Sequence, residues 1–372
     1  MKVRINVKWE QHKLGDFGNV QMNKRIFKSQ TLDSGDVPFY KIGTFGKKAD
    51  AYISSELYEE YRNKYPYPKD GDLLISASGS IGKIVEYKGQ RAYYQDSNIV
   101  WLDHDNRILN LFLKAFFQIV KWNGTEGSTI KRLYNKNILN TEIILPKIKE
   151  QTAVGKLIEK FDYLITLQQR KLEQLKQLKK AILQIIASNR LLLHTKKVDM
   201  IKVRVADIYK ITRGNVLSRS EISNVRTSKY PYPVYSSQTK NHGLMGYYKN
   251  FLFKNAITWT TDGANAGTVK YRKGRFYSTN VNGVLLSSEG LANQLTAELL
   301  NLVAFKYVSH VGNPKLMNNT MGEIIFNIPT SVETQQYFSG CIESVIDLIG
   351  KQEKDTDKLN KLRKDLIKKL FI

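Results

Sequence analysis

LPKIKEQTAVGKLIEKFDYLITLQQRKLEQLKQLKKAILQII, residues 145–186, decides the fold. Its apolar residues fall at Val154, Leu157/Ile158, Phe161, Leu164/Ile165, Leu172, Leu175, Leu178/Ile182 and Ile185/Ile186. Steps of three and four place these side chains on one stripe of an α-helix. Pro146 has no N–H to give to a helix interior, so the helix begins after it. The stripe weakens at Gln168–Lys171. A helix of roughly 40 residues is about 60 Å long, more than three times the usual length of about 11–12 residues. Its Lys and Gln content is too high for a membrane span, so its apolar stripe needs a partner helix.

The partner lies at 328–372. It opens IPTSVETQ, and Pro329 and Glu333 echo Pro146 and Glu150 at a constant offset of 183. Phe338, Ile342, Val345/Ile346, Ile349, Leu359, Leu362, Leu366 and Leu370 follow, again with a polar break, at Gln352–Asp357. Two long amphipathic helices with the same opening imply an internal repeat. The rest of the chain carries it. At an offset of 184, GSIGKIVEYKGQRAYYQDSNIVWL (79–102) lies on GANAGTVKYRKGRFYSTNVNGVLL (263–286), matching Gly79/Gly263, Val85/Val269, Tyr87/Tyr271, Arg91/Arg275, Tyr93/Tyr277, Asn98/Asn282, Val100/Val284 and Leu102/Leu286. KLGDF (13–17) pairs with RVADI (204–208), and PFYKIG (38–43) with PVYSSQ (233–238). The order is head, long helix, head, long helix.

Within the heads, Leu73–Ser76 and Ile138–Leu145 read as strands and Leu109–Lys121 as a helix. Residues 188–199 read as a linker. Strands outnumber helices and the crossovers are short, which predicts mixed α+β heads, not a doubly wound parallel sheet. Predicted boundaries are 1–145, 146–192, 193–327 and 328–372.

A chain of 372 residues with 42% hydrophobic content can bury a core in each half. The single cysteine, Cys341, excludes an internal disulfide and is expected as a small buried hydrophobe in the helix seam. The opening MKVRINVKWEQ has no apolar core of signal-peptide length, and the longest apolar run, Leu109–Val120, is interrupted by Lys114. A soluble cytoplasmic protein without a membrane is expected. The net charge of +24 calls for a polyanion, and 21 tyrosines add aromatic and hydroxyl contacts suited to nucleic acid.

Signs of catalytic chemistry are weak. ASGSIGKI (77–84) has Ala77 where a phosphate-binding loop needs its first Gly and Ile84 where it needs Ser or Thr. Asp72 with Glu86-Tyr87-Lys88 resembles the acid-x-lysine spacing of Mg²⁺ nucleases, but the second copy reads Lys270-Tyr271-Arg272. His12, His104, His194, His242 and His310 are isolated, without Cys or His at metal spacing. No amino-methyltransferase or helicase motif occurs.

Polar and basic loops between strands carry more. In the first head they contain Lys41, Thr44, Lys47 and Lys48, then Ser78, Ser80 and Lys83, then Tyr93 and Gln95, then Ser128 and Lys131. In the second they contain Arg213, then Ser236, Gln238, Lys240 and Asn241, then Asp262 and Asn265, then Tyr277, Ser278 and Asn280, then Lys315. Gln and Asn can pair bidentately with adenine, Lys and Arg with guanine, and Ser and Thr position phosphates. All of these are candidate DNA contacts.

WEQHKLGDF, PFYKIG, DGDLLISASGSIGK, LPKIKEQ and KLEQLKQLKKAILQ, in this order and over essentially the whole chain, resemble the specificity subunit of a Type I restriction-modification enzyme. The second half departs, with IPTSVETQ for the second LP…EQ and TTDGANAG for the Gly-Ser-Ile-Gly-Lys loop. The resemblance implies two target-recognition domains on an antiparallel coiled-coil pair. Each would read one half of a bipartite, asymmetric site on double-stranded DNA, with the helices setting the spacing. It implies a non-catalytic subunit that docks two methyltransferase subunits, joined by two motor-nuclease subunits. No cofactor is expected on this chain; S-adenosylmethionine, ATP and Mg²⁺ belong to those partners. The competing readings are an autonomous Mg²⁺ nuclease using Asp72, Glu86 and Lys88, and an RNA-binding coiled-coil scaffold.

Overall fold

The computed structural model describes residues 9–122, 131–188, 192–193, 196–237 and 240–371. The chain divides into two units: residues 1–167 with 356–372, and residues 168–355. The boundary falls inside both long helices, so each unit holds one head and a segment of each helix.

In unit 1 the elements are β1 (Glu10–Lys13), β2 (Gly18–Gln21), β3 (Val37–Tyr40), β4 (Tyr52–Ile53), α1 (Ser55–Lys64), β5 (Leu73–Ser76), β6 (Ile84–Glu86), β7 (Tyr93–Tyr94), β8 (Ile99–His104), α2 (Asn110–Phe116), α3 (Asn135–Leu139) and β9 (Glu142–Leu145). Helix α4 (Ile148–Ala187) begins there and runs into unit 2. Unit 2 continues with β10 (Leu192–Leu193), β11 (Lys196–Lys197), β12 (Met200–Arg204), α5 (Val205–Ile208), β13 (Lys210–Arg213), β14 (Tyr232–Tyr235), β15 (Leu244–Tyr248), β16 (Phe253–Thr260), β17 (Val269–Ser278), β18 (Asn282–Leu286), α6 (Gln294–Ala304), α7 (Asn318–Gly322) and β19 (Ile325–Pro329). Helix α8 (Val332–Phe371) starts in unit 2 and ends in unit 1.

The heads share a topology. Head 1 has a sheet ordered β2-β8-β5-β6, and head 2 contains the same path as β13-β18-β16-β17. Each adds one parallel pairing, Phe39↔Tyr93 and Tyr40↔Tyr94 in head 1, Val234↔Tyr277 and Tyr235↔Ser278 in head 2. Each head is closed by an antiparallel ribbon, Glu10↔Leu145 and Met200↔Pro329. The mixed α+β repeat expected from the offset is what the chain forms.

The helices keep the repeat in their burial. Val154 and Phe338, Ile158 and Ile342, and Leu183 and Ile367 are buried pairs whose numbers differ by 184. In unit 1 the start of α4 meets the end of α8: Ile158 and Ile367 pack with Ala115, and Asp162 pairs with Arg363 at 2.5 Å. In unit 2 the later part of α4 meets the early part of α8: Lys176 pairs with Glu353 at 2.9 Å, and Leu183 and Ile186 share a core with Phe338 and Ile342. The pairing is antiparallel in both. Burial of each apolar side chain is worth about 1.5–3 kcal/mol, against about 0–1 for an exposed ion pair, so the seam is held by the apolar residues. The two polar breaks meet: the Gln352 amide donates to the Gln168 carbonyl at 3.2 Å and also to its side chain. These residues also differ by 184.

Several expectations change. Each adjacent apolar pair can place only one member in the seam, because neighbours on a helix are 100° apart. Leu157, Leu164 and Ile185 are therefore exposed while Ile158, Ile165 and Ile186 are buried, and Leu178, which has no apolar neighbour in sequence, is exposed as well. The same step puts Ile342 in the seam and leaves Cys341 exposed, contrary to the buried cysteine expected. Ile138–Leu145 is not one strand. Asn137 accepts from the Tyr134 N–H through its side chain, and the segment winds into α3 before β9. Helix α2 stops at Phe116, short of Lys121. The linker contains the short β10–β11 pairing.

Gly155 lies where α4 passes α2 closely. A Cβ there would come within 2.4 Å of Leu111 Cγ. Gly155→Val should cost unit 1 about 1–3 kcal/mol by overpacking, despite the better helix propensity of valine. Urea denaturation checks this, and an unchanged midpoint would mean that α2 is free to shift.

Candidate nucleic-acid interface

In head 1 the Lys41–Lys48 loop is fixed from inside. Phe45 is 2% exposed and anchors it in the core. Thr44 Oγ1 accepts from the Lys41 N–H at 3.1 Å, and Gln95 Oε1 accepts from the Ile42 N–H at 2.9 Å. Lys83 Nζ donates to the Phe45 carbonyl at 2.5 Å. The loop after β5 stands opposite, turned by Gly79 (φ +64°) and Gly82 (φ +77°), a conformation that favours glycine. Between the two loops opens a cleft of about 240 Å³ lined by Ile42, Lys47, Ser80 and Lys83. Lys47 and Lys48 project into solvent, whereas Lys41 is paired with Asp50 at 2.9 Å. Ser78 donates to Asn98 Oδ1 at 2.8 Å. Lys131 is exposed. Ser128 lies outside the described residues.

In head 2 the loops after β16 and before α7 come together. The backbones of Asp262 and Lys315 pair in an isolated antiparallel β-bridge, and the Gly263 N–H donates to the Pro314 carbonyl at 2.9 Å. The Leu316 N–H donates to the Thr261 carbonyl, as the Leu133 N–H does to the Ala77 carbonyl in head 1. Asn265, Asn280, Arg213 and Asn241 are exposed and Ser236 is half-buried; Asn241 adopts a left-handed backbone, φ +49°. Gln238 and the Lys240 side chain lie outside the described residues.

Three candidate contacts are corrected by burial. Tyr93 is 0% exposed, with its hydroxyl donating to the Lys24 carbonyl at 3.1 Å. Tyr277 is 7% exposed and Ser278 0%, the latter accepting from Asn282 Nδ2 at 3.3 Å. All three sit on the strands that make the parallel pairing, so they build the heads and do not face a duplex.

Sequence reasoning missed one surface. The segment Asn23–Gln30 follows β2 and carries exposed Lys24, Arg25 and Lys28 around Phe27, which is 56% exposed, with Arg25 5.4 Å from its ring centroid. In head 2, β13 ends in the exposed Arg213, and the segment after it carries Arg219 and Val216, the last 77% exposed. The run Asn-Lys-Arg-Ile-Phe-Lys was a readable signal: three cations around an aromatic residue.

Both carboxylates of the nuclease reading are taken up by other partners. Asp72 accepts from the Lys69 N–H at 2.8 Å, and burial raises its carboxyl pKa. Glu86 is held by Lys114 at 2.5 Å, and Lys88 is exposed. Among the described residues there is no group of three His, Cys, Asp or Glu able to hold a metal.

Two duplicated heads with polar and basic loops, each closed by a ribbon onto a long helix, match known proteins. The family described as Type I restriction modification DNA specificity domain matches residues 6–177 and again 197–369. The chain belongs to that family. A Haemophilus influenzae protein named as a type I restriction enzyme specificity subunit is 57% identical over 152 residues, 41% of this chain and 40% of the relative. The Mycoplasma pneumoniae Type I restriction enzyme MpnII specificity subunit is 36% identical over 129 residues, 34% of this chain and 38% of the relative. The matched part thus spans less than half of either relative. Among solved structures, the Type-I restriction-modification system S subunit from M. genitalium aligns over 100% of this chain and 98% of its own, at 15% identity and a TM-score of 0.69. A chain of a type I R-M system assembly aligns over 97% of both at 13% identity and a TM-score of 0.53. The specificity-domain fold, two mixed α+β heads with a long helix after each, is therefore shared over the whole chain.

Proposed function

We propose that this chain is the DNA-reading, non-catalytic subunit of a Type I restriction-modification complex. Each head reads one half of a bipartite, asymmetric site on double-stranded DNA. The observation that carries this is the duplicated topology with different polar loops on the same framework. One scaffold presented twice with different side chains suits two different short sequences. The +24 charge supplies the sequence-independent affinity for phosphates.

Lys47, Lys48, Ser80 and Lys83 at the head 1 cleft, and Asn265, Asn280 and Lys315 in head 2, are the proposed contacts that the geometry favours. Lys24, Arg25 and Lys28 join them. The exposed apolar residues of the helices, Leu157 and Leu164 in unit 1 and Leu178 and Ile185 in unit 2, form the docking faces for two methyltransferase subunits. Two motor-nuclease subunits complete the complex. S-adenosylmethionine, ATP and Mg²⁺ work on those partners. No helix among the described residues is long and apolar enough to cross a membrane, and the proposed place of work is the cytoplasm, on DNA.

The test is an exchange of residues 200–327 for those of another family member, followed by sequencing of methylated sites in cells holding the methyltransferase. The expected outcome is a gapped motif with one half replaced and the other kept. Replacement of both halves, or of neither, would refute the modular reading. A second measurement concerns the phosphates. Lys47→Ala with Lys48→Ala should lower the slope of log K against log[salt] by about 0.9 for each phosphate no longer neutralised. An unaltered slope would remove these lysines from the interface.

A further inference from the structure

Head 2 holds a polar cavity where head 1 is packed with hydrocarbon. In head 1, Leu74 on β5 stands opposite Val85 on β6, and the face is filled by Phe45, Leu74, Tyr87, Tyr94 and Trp101. In head 2, the matching residue on β16 is Thr258, opposite Lys270 on β17. Arg272 is two residues on, so it shares a sheet face with Lys270. Thr258, Thr260, Lys270, Arg272, Ser236 and Ser237 line a space in which the centre of a water-sized sphere has about 10 Å³ to move, room for a single ion somewhat larger than water.

The cavity carries positive charge with no carboxylate to balance it. Arg272 is 8% exposed. Its Nε donates to Thr258 Oγ1 at 3.1 Å and its Nη1 to the His242 carbonyl at 2.9 Å, while the guanidinium lies 3.8 Å from the Tyr235 ring centroid. Among the described residues neither Arg272 nor Lys270 has a carboxylate within 4.0 Å. Glu298 favours the charged form of Lys270 from further off, but it is paired with Lys179 at 2.6 Å. Burial pulls the Arg272 pKa down to about 10, and burial followed by the Arg272 charge lowers that of Lys270. Two neighbouring cations withdrawn from water disfavour each other. Hydroxyl groups can turn their protons inward as donors.

We propose that this cavity is an anion site of head 2 alone, taking one atom-sized negative centre: a halide ion or a single non-bridging oxygen of a DNA phosphate. Such a ligand offsets both cations at once and fits a space too small for a whole phosphate group. The halide ion as ligand stands without the function proposed above; the phosphate oxygen rests on it, and Ser236 in the lining is one of the candidate DNA contacts.

Bromide is the probe. Crystals of the full chain grown in sodium bromide should show an anomalous peak between the Lys270 amine and the Arg272 guanidinium. In solution, at fixed ionic strength with gluconate as the balancing anion, bromide at ten times its Kd should lower the unfolding equilibrium constant of unit 2 about elevenfold. Arg272→Met and Lys270→Met should abolish that dependence, and Lys149→Met on exposed α4 should keep it. Displacement of bromide by a duplex would identify the ligand as a backbone oxygen, and retention would identify it as a free ion. An empty cavity in bromide crystals, or a bromide dependence equal in wild type and Arg272→Met, would overturn the proposal. Should the variants fail to fold, the wild-type crystals alone decide.

Discussion

Trp259→Ala should lower the stability of unit 2 by about 3–5 kcal/mol. Trp259 is 0% exposed on β16, the strand that both β17 and β18 flank. Its indole Nε1 donates to the Leu316 carbonyl at 2.9 Å, which ties the late loop of head 2 to the sheet. Gly283 on β18 leaves room for the ring: a Cβ there would come within 2.1 Å of it. Truncation thus opens a cavity, orphans a carbonyl and detaches the segment that bridges Lys315 to Asp262. At about 2–4 °C per kcal/mol for a unit of this size, the melting midpoint should fall by roughly 10 °C. Hydrogen exchange resolved by segment separates the units. Protection should collapse in β16–β18 and stay near wild type in β5 and β8. Trp259→Phe should retain most of the packing and lose the hydrogen bond. A loss below about 1 kcal/mol, or equal loss of protection in head 1, would show that the ring is not the centre of that core.

Gln151→Leu should cost unit 1 about 2–4 kcal/mol, although it exchanges a polar core residue for an apolar one of similar size. Gln151 is 1% exposed. Its Nε2 donates to the carbonyls of Arg107 and Pro146, both at 2.9 Å, and its Oε1 accepts from the Leu109 N–H at 2.9 Å. The amide therefore joins three segments: the turn before α2, the end of β9 and the first turn of α4. Leucine leaves these backbone groups without partners, at about 1–3 kcal/mol for each fully buried group. Its better transfer free energy does not offset that. Gln335 makes the corresponding bond in unit 2, from Nε2 to the Pro329 carbonyl at 2.8 Å, so Gln335→Leu should act in the same direction there. Denaturant unfolding of both variants measures the effect. Leucine tolerated at both positions within about 0.5 kcal/mol, the usual range of surface substitutions, would mean that water takes over the bonds.

The repeat was legible because it is written in spacing. Offsets of 183 and 184 survive divergence, since Val154 and Phe338 need only be apolar and in phase. The common plan of the two heads followed from the same matches, and their strand order came only with the structure. What the sequence hid was direction. A tyrosine in a polar, basic stretch looks like a surface contact, yet Tyr93 and Tyr277 both lie on the parallel pairing and point inward. Among adjacent apolar residues on a helix, periodicity allowed Leu157 and Ile158 equally, and packing chose Ile158. The basic turn at 23–30 has no sequence echo in head 2, so the repeat does not point to it. Its counterpart there shares a place after the first sheet strand, not a residue pattern. The cationic cavity was beyond reach for another reason. Lys270 and Arg272 read as surface charges until the register of β16 with β17 is known.

The ribbons that close the heads have an evolutionary consequence. Because β1 lies beside β9 and β12 beside β19, the chain enters and leaves each head at neighbouring points, separated by the few ångströms between paired strands. Everything between those points behaves as a cassette. Recombination at the ribbon ends can replace a whole cassette without a new junction having to span any distance, and the helices beneath keep their phase. On the function proposed above, a gene built this way would change what its product reads by exchange of large blocks, each head moving as one piece.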